Sequence, residues 1–71
     1  MSYIYLVHAE SLLTDEFVEL LSSLKGAAHL AVPMVESRTI RVTLAHNQTL
    51  ESLFPYCPLL NVCDIEPYTQ S

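Results

Sequence analysis

Positive charge is scarce in this sequence. Lys25, Arg38 and Arg41 are the only basic residues among 71, against eight acids, for a net charge of −5. Binding a phosphate backbone needs clustered Lys and Arg, so the balance argues against nucleic acid as a direct partner. Glycine is almost missing too. Gly26 stands alone, which removes any glycine-rich phosphate loop. The two cysteines, Cys57 and Cys63, are separated by five residues and form neither a redox CxxC nor a zinc pattern. The N-terminus has no basic stretch and no small-residue cleavage site, so no secretory signal is expected. No apolar run approaches the ~20 residues that span a bilayer. Together these absences predict a reduced, cytoplasmic protein with two free thiols, no membrane partner and no cofactor.

What is present is apolar surface. The hydrophobic share is 51% and the charged share 15%. A chain this short buries only about 60% of its unfolded surface. The excess must remain outside, and an exposed apolar patch points to another protein or to a homodimer. The acids are scattered along the chain, as ordinary solubility requires.

The chain reads as one domain over 1–71, with 68–71 a short tail. "YIYLVH" (3 to 8) has strand character. Thr14, or alternatively Ser11, caps a helix whose first turn carries Asp15 and Glu16. Leu13, Phe17, Leu20, Leu21 and Leu24 form its apolar stripe, and Gly26 falls where a left-handed residue would end it. "AAHLAVPMV" (27 to 35) reads as an edge strand because of Pro33, and "ESR" turns the chain. "TIRVTLA" (39 to 45) alternates, with Ile40, Val42 and Leu44 inward. "HNQTLESLF" predicts a second helix, capped by Asn47 or Thr49 and ended by Pro55 and Pro58. "LLNVCDI" is the last strand, stopped by Pro67.

Strand, helix, strand, strand, helix, strand predicts an α+β, ferredoxin-like βαββαβ sandwich. It has a four-stranded antiparallel sheet with two helices on one face. The first and third strands are expected side by side and parallel at the centre, with the second and fourth as edges. The helices would cover Ile4, Leu6, Ile40, Val42 and Leu44. The open face would then show Tyr3, Tyr5, Val7, Thr39, Arg41 and Thr43. Tyrosine around arginine is an interface composition, so Tyr3, Tyr5, Arg41 and Thr43 are candidate partner-binding residues. The pattern of the last strand leaves its register open.

Candidate chemistry is sparse. His8 and His46, brought to one end of the sheet with Glu10 nearby, are a candidate zinc trio. They read equally as solvated loop residues, since no HxH or HxxxH spacing fixes a geometry. Cys57 and Cys63 have no basic neighbour to lower a thiol pKa and read as inert thiols.

One resemblance spans the chain in pattern. The opening "YIYLV", the closing "CPLLNVCDIEPY" and its Val62-x-x-Ile65-Glu66-Pro67 segment resemble the subtilisin propeptide-like protease inhibitors. The sequence departs from that family at the entrance to the third strand, where Arg38-Thr39-Ile40 replaces a glycine-aromatic pair. The resemblance implies the ferredoxin-like fold, a sheet face packed on a protease, and a tail lying in the substrate cleft. Tyr68, Thr69, Gln70 and Ser71 would be the cleft residues. An extended segment after an edge strand is also well shaped for a partner's groove.

The expected function is therefore that of a small non-enzymatic protein-binding inhibitor or regulator, with a protease as one target. It would act through the open sheet face, an edge strand and the tail. A second version is a phage-type host-takeover protein, such as an anti-CRISPR, whose acidic surface blocks a basic site. The reading of another class is a small metal-binding domain or enzyme.

Overall fold

The structure, a computed structural model, describes residues 3–68. Its elements are β1 (Ile4–His8), α1 (Thr14–Ala27), β2 (Leu30–Met34), β3 (Thr39–Thr43) and β4 (Asp64–Pro67). Short 3-10 turns occupy Val35–Ser37, Leu50–Leu53 and Pro58–Val62. The four strands form one sheet in the order β2-β3-β1-β4, and every neighbouring pair is antiparallel. The fold class is α+β, with β2 and β4 as the edges.

α1 starts at Thr14 on a half capping box. The Leu13 N–H donates to Glu16 Oε1 at 2.9 Å, so Leu13, not Thr14 or Ser11, holds the cap position. Phe17, Leu20 and Leu24 are buried at helical spacing, whereas Leu13 is 72% exposed and Leu12 is buried in its place. The helix runs through Gly26, which takes no positive φ, and ends at Ala28 in extended geometry. The left-handed glycine stop is thus corrected. Termination comes instead from the extended Ala28, whose N–H still reaches Leu24 O at 2.8 Å.

β2 and β3 are joined by a tight turn, closed by Arg38 in the left-handed region (φ 53). That hairpin reverses the chain, so β3 opposes β1 and the expected parallel central pair is corrected to an antiparallel one. The Arg38 side chain then reaches back to the start of α1. Its Nη1 donates to Leu12 O (3.1 Å), its Nη2 to Thr14 Oγ1 (3.0 Å), and its guanidinium lies 5.6 Å from the centre of the Phe17 ring.

The second expected helix is not an α-helix. Residues 46–54 form a turn and the 3-10 piece Leu50–Leu53, and Pro58–Val62 makes another. Pro55 cannot donate to Glu51, and its ring clashes with that carbonyl in an α-helix. Too few residues remain between Thr49 and Pro55 for a nucleus to propagate. The apolar residues of this stretch still pack inward: Leu53, Cys57 and Leu60 are buried, and Leu50 and Phe54 lie beside them. β4 consequently begins only at Asp64, not at Leu59.

The core lies between α1, these turns and one face of the sheet. Val7, Ile40 and Val42 are fully buried there beneath Leu20 and Leu24. Burying each such side chain contributes about 1.5–3 kcal/mol.

Candidate docking face of the sheet

Residues paired directly across an antiparallel ladder share a face. Tyr5 pairs with Val42 and Val7 with Ile40, so the odd residues of β1 face the core. Ile4, Leu6 and His8 pair with Thr43, Arg41 and Thr39 on the other side. This corrects the predicted assignment of β1. Tyr5 and Val7 do not stand on the open face; Tyr5 packs against the core and Val7 is fully buried. Tyr3 and Tyr5 line a groove with Leu44, His46 and Leu50 at one end of the sheet. The open face carries Ile4 and Leu6 instead.

Extending the register gives three rows across the open face. They are Tyr68–Ile4–Thr43–Leu30, Glu66–Leu6–Arg41–Val32 and Asp64–His8–Thr39–Met34. Arg41 and Thr43 stand there as predicted. Leu30 and Met34 are 49% and 40% exposed, and Ile4, Leu6 and Val32 are half-buried. Thr39 is buried, with its hydroxyl donating to Ser37 O at 3.1 Å. The charges are arranged unevenly. Asp64 and Glu66 sit on β4, and His8 Nε2 lies 3.1 Å from Glu66 Oε1. Arg41, in the middle of the central row, has no ion pair among the described residues.

Both edges carry proline at a telling position. Ala9 N–H donates to Arg38 O and Leu44 N–H to Tyr3 O, so the even-numbered backbone groups of β3 face β1. The odd ones face β2 and bond Leu30, Val32 and Met34, which leaves Ala31 and Pro33 pointing outward. On β4, the Tyr68 N–H donates to Ile4 O at 2.9 Å, so Asp64, Glu66 and Tyr68 face β1 while Ile65 and Pro67 point outward. Neither proline costs a ladder bond, and each removes one donor from a free edge. β4 ends at Pro67 as expected, but not through a lost ladder donor, since the proline nitrogen points outward and the Tyr68 N–H still bonds Ile4 O. Thr69, Gln70 and Ser71 lie outside the described residues.

The remaining candidates disperse. His8 is at the C-terminal end of β1 and His46 follows β3, so antiparallel pairing places them at opposite ends of the sheet. The trio with Glu10 is not brought together. Among the described residues no three of His, Cys, Asp and Glu gather as a metal site. Both cysteines are free. Burial pushes both thiols above their ordinary pKa, and the neighbouring Asp64 carboxylate adds to the shift at Cys63. An open groove of about 520 Å³ lies between the end of α1 and the segment that follows β3, lined by Ser23, Gly26, Asn47, Gln48 and Tyr56. Gln48 braces it, donating to Ala27 O (2.7 Å) and accepting from the Ala45 N–H (2.9 Å).

Compared with known proteins, the chain matches no family model, no curated protein and no solved structure. No helix among the described residues is long and apolar enough to cross a membrane.

Sequence reasoning missed Ile4, Leu6, Leu30, Val32 and Met34 as surface residues. One signal was available. "LAVPM" places its larger side chains at 30, 32 and 34 and its small or cyclic ones at 31 and 33. A strand of that kind fits a thin core on its small side and leaves its large side out.

Proposed function

We propose that this chain is a small non-enzymatic protein-binding module, an inhibitor or regulator, whose docking surface is the open sheet face. The single observation that carries the reading is the register, which aligns Ile4, Leu6, Leu30, Val32 and Met34 around Arg41. An apolar field with a central arginine and an acidic rim matches the anatomy of a protein interface. The outward prolines leave little for strand addition at either edge, so the face is the better-equipped surface. The strand order also supports a ferredoxin-like fold whose second crossover has shortened to 3-10 turns. Two free thiols suit a reducing, cytoplasmic setting.

Affinity purification tests the reading. Wild-type protein is used as bait beside Val32→Asp, which puts a charge in the middle of the face, and beside Val18→Asp on the exposed side of α1. Proteins held by wild type and Val18→Asp but released by Val32→Asp support it. Equal retention by all three baits contradicts it. If the captured partner is a serine protease, inhibition assays on a chain lacking 69–71 separate the face from the tail.

A further inference from the structure

The central row of the open face has a symmetry of its own. Glu66, Leu6 and Arg41 lie side by side on β4, β1 and β3. The two opposite charges therefore flank Leu6 at equal strand spacings of about 4.8 Å. A two-fold axis parallel to the strands and passing over Leu6 exchanges the two positions. Leu6 then meets Leu6 of a second copy, and each Arg41 lies over Glu66 of that copy.

We propose that two copies of this chain associate face to face about that axis, joined by two reciprocal Arg41–Glu66 ion pairs around a Leu6–Leu6 centre. The proposal rests on the reading of this face as a docking surface and names its occupant in the free protein. Charge complementarity is the main argument. Arg41 has no ion pair within the described residues, and Glu66 is 58% exposed and shares only His8. An isologous interface must be self-complementary, and the Glu66–Leu6–Arg41 part of this row is. The alternative mode, edge to edge, is disfavoured by Pro33 and Pro67, which point outward from both edges. The net charge of −5 on each copy opposes association, but beyond about 8 Å it is screened at physiological salt. A dimer of this kind covers the β4, β1 and β3 part of the docking face and leaves Leu30, Val32 and Met34 of β2 outside the overlap, so an outside partner that uses Leu6 and Arg41 must compete with it.

Sedimentation of the full chain at micromolar concentration tests the proposal, with Arg41→Glu, Glu66→Arg and the double exchange. The expected result is a wild-type dimer, at least about tenfold weaker association in each single variant from like charges meeting, and recovery in the double exchange. Circular dichroism melts identify any variant that has lost its fold. For such a case Leu6→Cys gives an independent reading. A bis-maleimide whose spacer spans the about 10 Å between sheets packed face to face is expected to link two copies of that variant beyond any background from Cys57 and Cys63 in wild type, since position 6 of each copy sits on the axis. A wild-type monomer overturns the proposal, as does a dimer indifferent to both single variants, a double exchange that stays monomeric, or a Leu6→Cys chain that does not cross-link. A monomeric wild type that still loses captured partners on Val32→Asp sinks the dimer alone and leaves the docking face standing.

Discussion

Gly26 occupies a right-handed helical position where an added Cβ would meet nothing within 4 Å. Neither conformation nor packing requires glycine there. Gly26→Ala is expected to raise stability by about 0.5–1 kcal/mol, through the lower entropy cost of ordering alanine in a helix. Thermal melts check this, and a lowered melting temperature contradicts the open placement. Arg38 is the opposite case. It accepts a left-handed backbone and holds Leu12 O and Thr14 Oγ1 with its two guanidinium nitrogens. Arg38→Ala is expected to cost about 1.5–3 kcal/mol, the scale of hydrogen bonds to a charged group. Arg38→Gly recovers part of that by relieving the positive φ, and melts of the two variants separate clamp from backbone. Cys57 adds a pH dependence. Its folded thiol pKa is raised by burial. The unfolded chain therefore ionises first as pH rises. The stability contributed by the neutral thiol is complete below the unfolded pKa and is lost as pH climbs through the folded one. Denaturant titrations at alkaline pH are expected to show a steeper decline in wild type than in Cys57→Ala, and parallel declines argue against a buried thiol.

At the scale of elements, the legible parts were those with one dominant pattern. α1, the inward face of β3 and the edge position of β2 follow from the Phe17–Leu20–Leu24 stripe, the Ile40–Val42–Leu44 alternation and Pro33. β1 was not legible in the same way. Ile4 and Leu6 compete with Tyr5 and Val7 for the core, and a strand apolar at both parities does not declare its inner face. The ladder to Ile40 and Val42 decides it, and that is a long-range fact. The second helix was misread because the leucines and phenylalanine of 50–54 have helical spacing, whereas Pro55 and Pro58 leave room only for 3-10 turns. The candidate face suffered from the first error: Arg41 and Thr43 stand on the open face as expected, while Ile4 and Leu6 were assigned to the core and no inner face was read for β2. The edge prolines carry their own prediction. Pro33 points away from β3, so Pro33→Val is expected to leave the fold intact and to add an outward N–H. The variant should melt within a few degrees of wild type and aggregate faster, as followed by light scattering. A large loss of stability with no gain in aggregation contradicts the outward orientation.

The whole molecule is a thin, two-layer body, covered on one side of its sheet and uncovered on the other. Its core side holds α1 and the 3-10 turns, and its other side holds an apolar field in a chain that is otherwise acidic. So small a domain gains little from spare surface apolarity unless something covers it. The docking role therefore depends on which methyl groups face outward to be covered. Methyl-resolved NMR of the labelled protein measures this directly, on addition of a captured partner. Signals of Ile4, Leu6, Leu30, Val32 and Met34 are expected to shift together, while those of Leu13 and Val18 on the helix side remain in place. Shifts confined to Leu13 and Val18, with the open-face methyls unmoved, would contradict a docking role for the sheet.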